Sequence, residues 1–223
     1  MQFEKSSLSY LKKLKKNNNR DWFAEHKPTF IEAQNNAKAL YAEIRNNLEK
    51  HDDIEKFKLF RIYRDVRFSK DKTPYKAHFA GSFSRLGKQL RGGYYLRIRP
   101  GESFLAGGFW EPNKEDLFRI RKEIEVDASE FREILEDKNF QHYFGKSFKG
   151  DELKTAPRGF DKEHPDVDLL RKKGFIAVRN FTDEEVLSTN FSSEVDNSYK
   201  ALRPFFNLFS DILTTNLNGE SII

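Results

Sequence analysis

The chain begins with a helical pattern of apolar residues. Between Ser6 and His51, apolar side chains recur at three- and four-residue steps, which predicts helices that bury one face. The recurring positions are Leu8, Leu11, Leu14, Phe30, Ala33, Ala37, Leu40, Tyr41, Ile44 and Leu48. Asp21 is placed to cap the second helix, because Asp and Asn favour that position, and Pro28 predicts a break or restart further along.

The middle of the chain changes to a period of two, which predicts four consecutive antiparallel strands. The predicted strands are Phe60–Phe68, a segment around Phe79–Phe83, Gly93–Arg99 and Ser103–Trp110. The last two are joined by a turn at Pro100-Gly101. In the third strand, Leu96 and Ile98 point to one face while Arg97 and Arg99 point to the other.

Helical patterns return after Pro112. The segments KEDLFRIRKEIEVD, ASEFREILED and HPDVDLLRKK predict helices, GFIAVRNF predicts a fifth strand, and Phe191–Leu217 predicts a closing helix interrupted near Pro204. We therefore expect one α+β domain over residues 1–223, helical over 6–51, strand-rich over 59–110 and mixed over 113–223. Its mainly antiparallel sheet of about five or more strands is expected to be packed by N-terminal and C-terminal helices.

Composition narrows the class of protein. Hydrophobic residues make up 37% of the chain and charged residues 34%, so the 22 Phe must fill much of the core. The absence of Cys excludes disulfides, thiolate metal sites and a cysteine nucleophile. The N-terminal sequence lacks the apolar stretch of a signal peptide and no run reaches transmembrane length, so we expect a cytoplasmic protein with no membrane partner.

The strongest chemical signal is a basic segment in the middle of the chain. Phe60–Lys76 holds six basic and two acidic side chains, whereas the whole chain has a net charge of only +5. On a strand, Arg64 would share a face with Ile62 and Val66, and an unpaired buried charge there would be costly. We expect Arg64 to meet a carboxylate from a distant segment, with Asp21, Glu25 and the acidic residues of DKEHPDVD as candidates, or to bind an anion.

Arginine and lysine in this arrangement favour a phosphate- or carboxylate-bearing ligand, an anionic small molecule. The candidate ligand-binding residues are Arg61, Arg64, Arg67, Lys72, Tyr75, Lys76 and Arg158. A solvated hairpin whose charges discourage edge-to-edge aggregation is the structural alternative.

Two other classes of function stay open. An enzyme acting on an anionic substrate would use Asp65 or His78 as general base and Tyr75 as proton donor. A nucleic-acid or protein interaction module would join the basic LKKLKKNNNR to the cluster after Phe60 in one positive stripe. Oligomeric state is left open.

No cofactor and no metal are predicted. The five histidines have no metal-binding spacing. The acidic DKEHPDVD would need further ligands from elsewhere to hold a metal, whereas at a helix N-terminus its charges complement the helix dipole.

The string RIYRDVRFSKDKTPYK, preceded by NNNRDWF, resembles the signature of an uncharacterised family of bacterial and fungal proteins, domain of unknown function 2461. The blocks GGYYLRI, GGFWEP and LKTAPRGFDKEHPDVDLLRKKGF also resemble those of that family, in the same order. The resemblance implies a single conserved domain without an established activity, and it supplies no catalytic residue.

Overall fold

The computed structural model describes residues 2–216 and 219–223. It has an α+β fold in which helices flank a five-stranded antiparallel sheet of order β1-β2-β3-β4-β5, and this confirms the predicted fold class. The strands are β1 (Ile54–Leu59), β2 (Phe79–Arg85), β3 (Gly93–Ile98), β4 (Ser103–Phe109) and β5 (Phe175–Phe181). The helices are α1 (Lys5–Lys16), α2 (Arg20–Glu25), α3 (Lys27–Leu48), α4 (Lys114–Val126), α5 (Ser129–Glu136), α6 (Lys138–Phe144), α7 (Val167–Leu170), α8 (Asp183–Val186), α9 (Phe191–Ala201) and α10 (Arg203–Thr214).

The first strand lies earlier than the alternation predicts. The predicted strand over Phe60–Phe68 is wrong, and the strand-rich region begins at Ile54. After β1 the chain keeps only scattered pairing, with bonds from Phe60 N to Ala80 O, Lys76 N to Ile62 O and Arg64 N to Pro74 O. The ladder cannot continue because Pro74 has no N–H to donate. The N–H of the preceding Thr73 donates to the side chain of Asp71 and not to another strand.

The helix boundaries follow local capping chemistry. Asn19, not Asp21, caps α2 by accepting the backbone N–H of Trp22 at 2.9 Å, and Asp21 lies in the first turn. Helix α3 restarts at Lys27 with Pro28 in its first turn, as predicted. The closing helix is indeed broken ahead of Pro204, into α9 and α10, while its predicted end at Leu217 lies outside the described residues.

The chain divides into two compact units, and strands β2 to β5 contribute residues to both. The first, which we call the N-terminal unit, comprises the residues up to Phe83 together with Tyr95–Leu105 and Asn180–Asn197. In this unit the apolar stripes of α1 and α3 are buried, as predicted. The fully buried Tyr41 of α3 stacks near Phe57 of β1, and its hydroxyl donates to Leu96 O of β3 at 2.9 Å.

The second unit comprises Ser84–Tyr94, Ala106–Arg179 and the residues from Ser198 onward. Its core is a cluster of phenylalanine rings, as the composition predicts. The rings are those of Phe109, Phe131, Phe148, Phe175, Phe205, Phe206 and Phe209. Gly108 brings two strands together here, because a Cβ at this position would lie 2.2 Å from Phe175 O.

Among the described residues, no helix has the length and apolar character needed to span a lipid bilayer.

Candidate functional site

A row of aromatic rings lies on one face of the sheet within the N-terminal unit. Strand β3 alternates buried and partly exposed residues, so Leu96 points into the core while Tyr95 points to the other face. The Tyr95 ring lies 5.5 Å from that of Phe104 on β4 and 6.4 Å from that of Phe60, which follows β1. All three residues are partly exposed.

Cationic side chains surround these rings. The Arg97 guanidinium lies over the Phe104 ring, 4.4 Å from its centroid. The Lys58 and Lys76 ammonium groups lie 5.6 and 5.8 Å from the centroid of Phe60. Cations hold these positions because the ring faces carry negative charge density. We call this surface, made of Phe60, Tyr95 and Phe104 with Lys58, Lys76, His78, Arg97 and Arg99, the cation–aromatic face.

The turn between β3 and β4 brings further charge to this face. Pro100 and Gly101, which has a positive φ of 72°, match the two central positions of a type II turn, and Glu102 N bonds back to Arg99 O. The carboxylate of Glu102 then lies 3.2 Å from Arg99, 3.9 Å from Arg97 and 3.5 Å from Lys15 of α1. The basic end of α1 therefore adjoins the face.

One carboxylate does not satisfy both arginines. The Nε atoms of Arg97 and Arg99 are buried and have no hydrogen-bond acceptor among the described residues, although the side chains are 23% and 29% exposed. Buried donors are nearly always paired in folded proteins. An anionic oxygen arriving at this face would reach the exposed parts of the two arginine side chains and not these buried Nε atoms.

His78 lies in the electrostatic field of the same cations. Burial is the largest cause that lowers the pKa of His78 from 6.5 to about 4, and Arg97, Lys76 and Arg99 add to it while Glu102 opposes it. The imidazole is therefore neutral at pH 7. A neutral imidazole has one donor and one acceptor nitrogen, so it can bond to a neutral polar group of a ligand.

The predicted basic segment folds instead into a loop that binds its own charges. Arg64 is partly buried, with 25% of its side chain exposed, and it donates to the carboxylate of Asp71 and the hydroxyl of Thr73. The expected carboxylate is present, but the prediction that it comes from a distant segment is wrong. Asp71 also accepts the Thr73 N–H, and these bonds lower its pKa to about 2.

Two other cations of this loop, Arg67 and Lys72, already have hydrogen-bond acceptors within it. Arg67 forms a two-pronged pair with Asp65, at 3.0 and 2.7 Å, and Lys72 donates to the carbonyl oxygens of Val66 and Arg67. Arg61 is exposed. The loop thus has fewer cations available to a ligand than its sequence suggests.

The three predicted acid–base residues have different surroundings. Tyr75 is 7% exposed and stacks on Phe23 at 4.0 Å, where burial raises its pKa. Asp65 is exposed, and its bonds to Arg67 lower its pKa, which weakens it as a base. The contacts described for Asp65, Tyr75 and His78 are with different residues in each case, and their joint role as acid–base groups stays a prediction.

Two predicted features lie in the second unit. Arg158 is exposed there. The acidic DKEHPDVD segment contributes Asp166 and Asp168 to a pair with Arg132, at 2.7 and 2.6 Å, which raises the pKa of that arginine. These carboxylates thus have a structural role beside α7.

Sequence reasoning placed Lys76 and His78 among the candidates but missed the rest of the cation–aromatic face. The signal for Arg97 and Arg99 was present, since alternation placed both on the face opposite Leu96. Nothing local indicated that Phe60 lies near Tyr95, because β2 separates their strands in the sheet.

Comparison with known proteins gives a family and nothing more specific. A family model described as "Conserved hypothetical protein (DUF2461)" matches residues 6–208. No curated protein matches the chain, and no solved structure matches it.

Proposed function

The chain belongs to the DUF2461 family of conserved hypothetical proteins, whose description names no activity, and we propose that it binds an anionic ligand on the cation–aromatic face. The observation that carries this proposal is the pair of partly exposed arginines, Arg97 and Arg99, which face the carboxylate of Glu102 beside a row of partly exposed rings. Guanidinium groups bind phosphate and carboxylate oxygens with fixed geometry, which suits them to this role.

The proposal keeps the anionic ligand expected from the sequence, but it assigns the binding site to the cation–aromatic face instead of the basic segment Phe60–Lys76. Lys76 belongs to both versions of the site, because it lies over Phe60 and borders the basic loop. Arg64 and Arg67 already bond to Asp71 and Asp65, so an anion binding there would have to compete with carboxylates. Arg97 and Arg99 share the single carboxylate of Glu102, and an anion would compete less with it.

Titration calorimetry with pyrophosphate tests the proposal. Arg97→Gln and Arg99→Gln are expected to weaken binding at least tenfold, since each removes a charged donor. Arg45→Gln is the matched control, because Arg45 is a partly exposed arginine of α3 that pairs with Glu49 away from the face. Arg61→Gln separates the two versions of the site, since a loss caused by this variant alone would place the anion at the loop.

A binding role in the cytoplasm is part of the same proposal. Fractionation of cells that produce the tagged chain tests the location, and recovery outside the cytoplasmic fraction would contradict it.

A further inference from the structure

We infer that the ligand of the cation–aromatic face is single-stranded nucleic acid, whose bases stack on Phe60, Tyr95 and Phe104 while its phosphates meet the surrounding cations. This inference rests on the proposed function and names the class of ligand. A simple anion would need only the cations. The three partly exposed rings call for a ligand that also carries flat apolar groups in series.

The geometry of the rings favours an unstacked single strand. Neighbouring centroids are 6.4 and 5.5 Å apart, whereas bases in a duplex are stacked about 3.4 Å apart along each strand. Bases inside a duplex are also covered on both faces by their neighbours. A sheet that offers rings at wider steps can receive bases only from a strand that is free to splay them.

The charges lie where a phosphate backbone would pass. Lys58 and Lys76 lie over the ring at one end of the row. Arg97 lies over the ring of Phe104 at the other end, so a base at that end would stack on the guanidinium plane that the ring supports. Arg99 and Lys15 continue the positive rim around Glu102 toward α1. An acidic peptide would match the charges but has no planar group to place on each ring.

Fluorescence anisotropy with a labelled fifteen-nucleotide oligo(dT) tests the inference. The duplex of the same length and polyglutamate serve as competitors. We expect oligo(dT) to bind more tightly than either. With about four phosphates contacted, the logarithm of the affinity should fall against the logarithm of the salt concentration with a slope of roughly −3.

Variants of the rings separate stacking from charge. Tyr95→Leu and Phe104→Leu keep an apolar side chain of similar size, and each should weaken oligo(dT) binding by about five- to 150-fold, the usual effect of losing one base–aromatic stack. Circular dichroism shows whether the variants are folded, and each should weaken oligo(dT) binding by a larger factor than pyrophosphate binding, because pyrophosphate has no base to stack.

Phe118→Leu is the matched control. Phe118 on α4 is 54% exposed and has Lys122 at 5.8 Å from its ring centroid, so it is another exposed ring beside a cation. Its substitution should have no effect on oligo(dT) binding.

Each other outcome overturns a defined part of the reasoning. Pyrophosphate binding that depends on Arg97, without preferential oligo(dT) binding, would overturn the nucleic-acid inference and keep the proposed function. Polyglutamate binding as tightly as oligo(dT) would point to an acidic protein partner instead. If the native chain binds neither pyrophosphate nor oligo(dT), both the inference and the proposed function are overturned.

Discussion

His78 provides a direct test of the charge environment of the cation–aromatic face. Its pKa is lowered from 6.5 to about 4 by burial and by Arg97, Lys76 and Arg99. A two-dimensional NMR titration of the imidazole should therefore find His78 neutral down to about pH 5. Arg97→Gln removes one of the cations and should raise the pKa of His78.

The lowered pKa of His78 also makes the folding stability of the protein depend on pH. In the unfolded chain His78 takes up a proton below about pH 6.5, whereas in the folded protein it does so only below about pH 4. The unfolded state binds more protons in this window, so stability rises as the pH rises from 4 to 6.5. The contribution is fully present above pH 6.5 and is lost as the pH falls to about 4.

The size of this contribution to the free energy of unfolding depends on the pKa change and on how far solvent screens the imidazole. A change from 6.5 to about 4 would correspond to about 3 kcal/mol if the imidazole were wholly shielded. Partial exposure and solvent screening reduce this to the order of 1–2 kcal/mol.

Urea unfolding of the native chain and of His78→Gln at several pH values isolates the effect, because the other titrating groups cancel in the difference. The difference in unfolding free energy between the two proteins should grow by this amount between pH 4 and 6.5. A pKa of 6 or higher for His78, or a difference that does not vary with pH, would refute the reasoning.

Three further predictions concern the framework of the site. Arg64→Ala should lower the melting temperature by less than about 3 °C, because its partner Asp71 is exposed, and a much larger loss in differential scanning fluorimetry would mean that Arg64 supports the core. Gly108→Ala should prevent stable folding, since its Cβ would clash with a carbonyl oxygen of β5, whereas Gly159→Ala, with open space around it and the same positive sign of φ, should cost only about 1–2 kcal/mol in urea unfolding. Tyr41→Phe should cost about 1 kcal/mol by the same measurement, because it removes a buried hydroxyl donor to a carbonyl of β3, and an unchanged midpoint would argue against that bond.

Local patterns were sufficient for much of the fold. The apolar stripe of α3 and the hairpin of β3 and β4 depend on neighbouring residues, and Pro100-Gly101 specifies its own turn. The sheet was therefore predictable as four consecutive antiparallel strands and a fifth strand later in the chain, although the first was expected at Phe60–Phe68 and lies at Ile54–Leu59.

The basic segment was harder to predict because two local forces compete there. Alternation favoured a strand, but Pro74 interrupts the ladder and Asp71 bonds the backbone N–H of Thr73. The same local bonding explains why the partner of Arg64 is Asp71, seven residues away, when a regular strand would have required a distant carboxylate.

The candidate site depended on long-range pairing, which a charge count cannot supply. Phe60 and Tyr95 are brought together only when the sheet forms, and Phe104 joins them through the turn after β3. Arg97 and Arg99 could be assigned to a face from alternation, but their significance appears only when the neighbouring rings are in place.

The surplus of charge in Phe60–Lys76 therefore does not by itself mark the binding site. In the loop, Arg64 and Arg67 each have a carboxylate of their own, and these pairs offset part of the positive charge of the segment. On the cation–aromatic face, burial and then three cations, opposed by one carboxylate, lower the pKa of His78 and keep the imidazole neutral. An anion bound to this face would reverse that imbalance and raise the pKa of His78, whereas an anion bound only at the loop would leave it unchanged. Repeating the NMR titration with saturating pyrophosphate distinguishes the two positions, and a pKa that stays near 4 while binding is complete would exclude the face as the site.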